Sequence, residues 1–215
     1  MVTRAAAHGT HNGTVRSLSV ETPRGPAEVQ ITDPAGPPIS QLFLGHGAGG
    51  GVHAPDLTRV HDTAVAAGVR VALVTQPYRV AGRKAPAPIL HLDEAWTAVL
   101  GELADPAIPL LLGGRSSGAR VACRTAGPLH AAGVLALAFP LHPPGRPEKS
   151  RAAELPADIT TLVVNGDRDP FGVPIPKGKI EVAIRPGATH DLRKDLAGTA
   201  GVVLTWLVAN HWARA

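Results

Sequence analysis

Ser116 lies within Gly114-Arg115-Ser116-Ser117-Gly118, a G-x-S-x-G run placed directly after the apolar stretch Pro109-Leu110-Leu111-Leu112-Gly113. A turn this sharp between a strand and a helix lifts the serine above the strand ends. Glycines on both sides let the backbone approach a neighbouring chain without a Cβ clash. A serine hydroxyl is a weak nucleophile, so an acyl-transfer reading needs a base to take its proton and an acid to orient that base. His190 is the candidate base, because an imidazole accepts and returns a proton near neutrality and this one follows the turn Gly187-Ala188-Thr189. Asp169 is the candidate orienting acid: it stands past Gly166 and before Pro170, where its side chain can swing toward a loop from the next strand. Asp167, in the same loop, competes for that role; its other readings are a salt bridge to Arg168 or the start of a turn.

A developing oxyanion needs preorganised donors, and two backbone amides can supply them: Ser117, just after the nucleophile, and Ala48, in the run Gly45-His46-Gly47-Ala48-Gly49-Gly50-Gly51. His46, Gly47 and Arg115 are candidate substrate contacts. His46 also reads as a loop histidine bonding to backbone, and Arg115 as a surface or packing residue.

Positioning these residues requires a particular order of elements. Val15 to Glu21 and Ala27 to Thr32 read as an antiparallel hairpin joined by the turn Thr22-Pro23-Arg24-Gly25-Pro26. Strand Gln41 to Leu44, helix Asp56 to Ala67 and strand Val69 to Thr75 form a βαβ unit. A helix over Ile89 to Leu103, strand Leu110 to Leu112, helix Ser117 to Thr125 and strands Gly133 to Phe139, Thr161 to Asn165 and Ile180 to Ile184 follow, with a last helix near Leu196 to His211. Short apolar strands without polar alternation suit a sheet covered on both faces. The fold class expected is therefore α/β, a doubly wound, mostly parallel sheet with an N-terminal antiparallel hairpin. Only about twenty residues lie between the strands ending near Phe139 and starting near Thr161, too few for a sizeable helical lid. Residues 1–14 read as a flexible tail and 15–215 as one domain, and the chemistry-bearing residues fall after strand ends, where open α/β sheets gather ligands.

Composition narrows the partners. Net charge is +4, but the basic residues are scattered and aromatics are few, with one tyrosine and three phenylalanines beside three tryptophans, so nucleic acid is not an expected partner. The N-terminus lacks an apolar signal region and no stretch reaches the ~18 apolar residues of a span, so a cytoplasmic protein without a membrane partner is expected. A lone Cys123 excludes an intrachain disulfide and reads as a small buried residue. No H-E-x-x-H or C-x-x-C occurs and His8 and His11 fall in the tail, so neither metal nor cofactor is expected.

Gly45-x-Gly47-x-x-Gly50 formally satisfies a dinucleotide fingerprint, but the following strand ends Val74-Thr75-Gln76 without an acid for a ribose hydroxyl. Gly113 to Gly118 has the glycine spacing of a phosphate loop, yet Ala119-Arg120 replace its Lys and Ser/Thr. Neither reading accounts for Ser116, Asp169 and His190.

From about Val15 to Trp212 the chain resembles the α/β-hydrolase superfamily, whose order of nucleophile, acid and base is that of Ser116, Asp169 and His190. More narrowly, Gly113-Gly114-Arg115-Ser116, Phe139-Pro140-Leu141-His142-Pro143-Pro144-Gly145, Asp169-Pro170-Phe171-Gly172 and His190-Asp191-Leu192 resemble the group related to testis-expressed protein 30 and NSL complex subunit 3, with dienelactone-hydrolase-like enzymes as neighbours. The resemblance implies a compact, lidless hydrolase. Ser117 and Ala119 depart from the bulky residue and glycine expected there, a change that leaves the Ser117 amide available. The expected function is a serine hydrolase acting on a small ester, thioester or related acyl bond; the alternative is a non-catalytic binding or scaffold member of the fold.

Overall fold

The computed structural model describes the backbone of residues 2–10 and 13–215, and side chains from Thr14 onward. One nine-stranded sheet runs in the order β1-β2-β3-β5-β4-β6-β7-β8-β9. Its first three strands, β1 (Val2–Thr10), β2 (Gly13–Thr22) and β3 (Gly25–Asp33), pair antiparallel, and β3 is antiparallel to β5 (Val69–Thr75). The expected hairpin is thus present as β2 and β3. Val2–Thr10, expected within a flexible tail, runs instead as β1 along the outer edge of β2, whose backbone groups offer it a ready ladder. Met1, His11 and Asn12, the rest of that expected tail before the hairpin, lie outside the described residues.

The remaining strands, β4 (Ser40–Gly45), β6 (Leu110–Arg115), β7 (Gly133–Leu137), β8 (Thr160–Gly166) and β9 (Ile180–Arg185), join β5 in a parallel array. Successive side chains of a strand point to opposite faces, and both faces here are buried. Leu42 and Leu44 pack on one side of β4 while Phe43 packs on the other, and Leu135 and Leu137 oppose Val134 and Ala136 in the same way along β7. One face is covered by α3 (Ile89–Leu103) and α4 (Ser117–Thr125), with Trp96, Val99 and Val121 at its centre. The other is covered by α1 (Pro55–Ala66) and α5 (Leu196–Ala209), through Leu57, Val60, Val203 and Trp206.

Helix starts follow their end chemistry. Proline at the first position opens α1, where its missing N–H costs nothing, and Asp195 caps α5 by accepting from the Gly198 amide at 2.8 Å. A short helix, α2 (Pro77–Val80), follows β5 and was not evident from sequence because it is a single turn begun by proline. Between β7 and β8 the chain forms only one 3-10 turn, Ala152–Glu154, and no helix lies between β8 and β9, so no lid is built there.

Strand order reverses at β4. The chain steps from β4 to β5 on one side, then returns to β6 on the other, so the loops leaving β4 and β6 diverge toward opposite faces. The crevice between them, at the carboxyl ends of the strands, is where such sheets bind ligands.

Candidate active site

Ser116 follows β6 and caps the start of α4 with φ 54° and ψ −110°. That conformation costs on the order of 1–3 kcal/mol for a residue with a Cβ and persists only where its surroundings impose it. Here the Ser116 amide donates to the Leu137 carbonyl at 2.9 Å, and its carbonyl accepts from the Arg120 amide at 3.2 Å. Neighbouring glycines make the turn possible: a Cβ on Gly114 would lie 2.6 Å from the Gly45 carbonyl oxygen, and one on Gly118 would collide with the same carbonyl. A serine at this position usually caps its helix, yet Ser116 makes no side-chain cap. Its Oγ instead meets His190 Nε2 at 2.9 Å.

His190 Nδ1 lies 2.8 Å from Asp169 Oδ2. With the Nδ1 proton donated to the carboxylate, Nε2 presents its lone pair to the serine hydroxyl. Asp169 has no exposed side-chain surface and that of His190 is 19% exposed, so the far end of the relay is dry while the reacting end meets solvent. Asp169 also accepts from the Phe171 amide at 2.9 Å through Oδ1, and the Phe171 ring stacks on the His190 ring with centroids 4.2 Å apart.

The loops after β8 and β9 are stitched together before either side chain is considered. The Arg168 amide donates to the Ala188 carbonyl at 3.0 Å, the Gly187 amide donates to Asp167 Oδ1 at 2.6 Å, and a Cβ at Gly166 would collide with Ala188. Asp167, the competing acid, therefore holds the base-bearing turn, and the imidazole faces Asp169. Asn165, fully buried, bonds in both directions to Phe139, donates to the Gly172 carbonyl at 3.2 Å and reaches Asp169 Oδ2 at 3.4 Å.

The glycine-rich loop after β4 borders Ser116. A Cβ on Gly47 would stand 3.6 Å from Ser116 Cβ, so the loop passes directly over the nucleophile. Among the described residues neither the Ala48 nor the Ser117 amide has an acceptor within the protein. Tyr78 on α2 donates its hydroxyl to the Ala48 carbonyl at 2.7 Å, which anchors the loop from outside. His46 is 3% exposed; its Nδ1 donates to the Gly47 carbonyl at 2.8 Å and its Nε2 accepts from the Gln76 amide at 3.1 Å. Burial holds its pKa below the ordinary 6.5, opposed by the Gly47 bond and helped by nearby Arg79. Both ring nitrogens are thus engaged by backbone, and His46 braces the loop instead of facing a substrate.

Arg115 is similarly engaged. Its Nη2 donates to the His190 carbonyl at 3.0 Å, and its Nε lies 2.8 Å from Oδ2 of Asp56, an ion pair without hydrogen-bond alignment. Burial pushes the Asp56 carboxyl up and the Arg115 cation pulls it back. One guanidinium therefore links the nucleophile strand, the base-bearing loop and the start of α1. Asp56, Tyr78, Asn165 and Phe171 were not picked out from sequence. Only Phe171 carried a signal, as part of Asp169-Pro170-Phe171-Gly172; the others act through contacts across many residues.

The arrangement can move a proton from a serine oxygen to an imidazole. Comparison with known proteins agrees with the fold. The model of the alpha/beta hydrolase domain matches residues 38–195. An alpha-beta serine hydrolase homologue from Coxiella burnetii superposes with TM-score 0.75 at 20% identity, covering 88% of this chain and 95% of that one. A dienelactone hydrolase from Anabaena variabilis gives 0.75 at 18%, covering 95% and 100% of the two chains. A serine hydrolase without lid from Xanthomonas campestris gives 0.72 at 19%, covering 98% and 99%. No curated protein matches the chain. Because the domain model spans well over half of the residues, in the order of elements described above, this chain belongs to the alpha/beta hydrolase domain family.

Proposed function

We propose that the protein is a serine hydrolase that cleaves a small, accessible ester, thioester or related acyl bond through an acyl-Ser116 intermediate. The observation that carries this reading is the continuous relay of Ser116 Oγ, His190 and Asp169 at 2.9 and 2.8 Å. Ser116 Oγ attacks the acyl carbon as His190 Nε2 takes its proton, and the carbonyl oxygen becomes an oxyanion beside the Ala48 and Ser117 amides. The intermediate collapses, the bond to the leaving oxygen or sulfur breaks, and that atom departs with the proton from Nε2. Water then gives a proton to Nε2 and attacks the acyl-serine; collapse releases the carboxylic acid and returns the proton to Oγ. Asp169 holds the imidazole and stabilises its cationic form.

The motifs around Ser116, Phe139, Asp169 and His190 support a place in the group related to testis-expressed protein 30 and NSL complex subunit 3. Absence of a helical insertion after β7 supports a small-molecule substrate approaching an open rim.

The test is labelling with a fluorophosphonate probe alongside turnover of short-chain nitrophenyl esters and acyl thioesters. The wild-type protein is expected to label at Ser116 and turn over at least one substrate. Ser116→Ala is expected to abolish both while keeping its melting temperature within a few degrees. A folded protein that neither labels nor turns over any of these substrates would instead be a non-catalytic member of the fold.

A further inference from the structure

A cleft of about 540 Å³ opens beside the candidate site on the same rim, at the carboxyl end of β5. Its walls include Arg24, Arg83, Lys84 and His91, with Tyr78 and the rigid run Pro86-Ala87-Pro88 supplying apolar surface. This is the size range of small-ligand pockets. Residues 75–91 contain three Lys/Arg residues and no Asp or Glu. Among the described residues no carboxylate pairs with Arg79, Arg83 or Lys84, and the sequence before Thr14 contains no acid that could. Glu94 is the one carboxylate paired at the edge of the cleft, 2.5 Å from Arg24.

Many of the protein's partly buried arginines are neutralised, whereas Arg83 and Lys84 are exposed and, among the described residues, unpaired inside a concavity. Arg16, Arg70, Arg115, Arg120, Arg124 and Arg185 all face carboxylates. A rim that concentrates uncompensated positive charge in a concavity attracts anions and raises their local concentration.

The cleft also shares a wall with the loops around the nucleophile. Gln76, Tyr78 and Leu92 line it on one side and, on the other, line a small cavity against Ser117 and Gly118. Tyr78 bonds directly to the carbonyl of Ala48, whose amide is a candidate oxyanion donor. A group held in the cleft therefore lies next to the loop that meets the acyl carbon.

The geometry points to a substrate class: acyl esters or thioesters that carry a phosphate or pyrophosphate group, seated among Arg24, Arg83 and Lys84 while the acyl carbon reaches Ser116. The inference rests on the acyl-transfer reading above. A multiply charged phosphate matches the unpaired Arg83 and Lys84 together with Arg24, which it would share with Glu94, whereas a lone carboxylate compensates only one of them, and guanidinium groups offer phosphate paired donors. Exposed charges are screened within about 8 Å at physiological salt, so the preference weakens as salt rises.

The test compares acetyl-coenzyme A with S-acetyl-N-acetylcysteamine, the same thioester without phosphates, in the wild type and in an Arg83→Glu/Lys84→Glu double variant. The wild type is expected to favour acetyl-coenzyme A in kcat/KM by at least about tenfold, mostly through KM, and the advantage is expected to shrink on going to high salt. The double variant is expected to lose the advantage and keep its rate on the truncated thioester. Equal kcat/KM values in the wild type, or an advantage that survives the charge reversal, overturn the proposal. Calorimetric titration of inorganic pyrophosphate into Ser116→Ala protein gives a separate readout: binding weakened about tenfold or more by adding the double substitution supports the cleft whether or not turnover is seen, and absence of binding overturns it. Wild-type protein that hydrolyses neither thioester, with pyrophosphate binding retained, would instead count against the acyl-transfer reading.

Discussion

At the scale of single residues, two aspartates two positions apart do different work, and the difference is geometric. Asp169 accepts from the ring of His190 and is sealed from solvent; Asp167 accepts from the Gly187 amide at the surface. Asp169→Asn is expected to lower kcat by about 10⁴, the scale seen when an orienting acid is neutralised and the imidazole tautomer reverses. Asp167→Asn keeps an oxygen to accept the Gly187 amide, so its kcat is expected to stay within about tenfold of wild type. Steady-state kinetics on one nitrophenyl ester checks both, and the opposite ranking would reassign the acid. The G-x-S-x-G run, the turn before His190 and the acid beyond Gly166 were legible in the sequence because each obeys a local rule about turns and strand ends. The engagement of Arg115 with Asp56 was not, because no spacing rule joins residues on different elements.

At the scale of elements, the loop between β4 and α1 depends on a buried neutral histidine. His46 donates through one ring nitrogen and accepts through the other, an arrangement that protonation destroys because a cationic ring has no acceptor. Its folded pKa lies below the ordinary 6.5, with burial as the largest cause, so the unfolded chain binds the proton more readily than the folded one. The stabilisation is therefore present in full above pH 6.5 and lost as pH falls through the depressed folded value. His46→Gln lacks this titration. The difference in melting temperature between wild type and His46→Gln is expected to narrow on acidification below pH 6.5; a constant difference would show that His46 does not titrate in this way. Element identity was largely readable beforehand, because apolar runs of strand length alternate with amphipathic stretches. The exceptions were β1, composed of small and polar residues, and α2, a single turn.

At the scale of the whole molecule, the two hydrophobic layers close over the sheet so completely that Cys123, on the inner face of α4, is sealed within one of them. Burial pushes its thiol pKa far up, with Glu154 adding to the shift and Arg124 opposing it, so the reactive thiolate is suppressed. Cys123 is expected to resist a disulfide reagent such as dithionitrobenzoate in the native protein and to react fully in denaturant, and its slow native labelling is expected to track global unfolding. Rapid labelling without denaturant would mean that α4, and with it the Ser116 turn, opens locally. Local pattern was enough to declare an α/β sheet, a sharp serine turn and three reactive side chains after strand ends, because hydrophobic period and turn chemistry are properties of neighbours along the chain. Which acid meets His190, that His46 and Arg115 serve the scaffold, and that an acid-free basic segment walls a cleft beside the Ala48 loop all depend on distances between residues far apart in sequence. Only the packing of nine strands and their helices sets those distances.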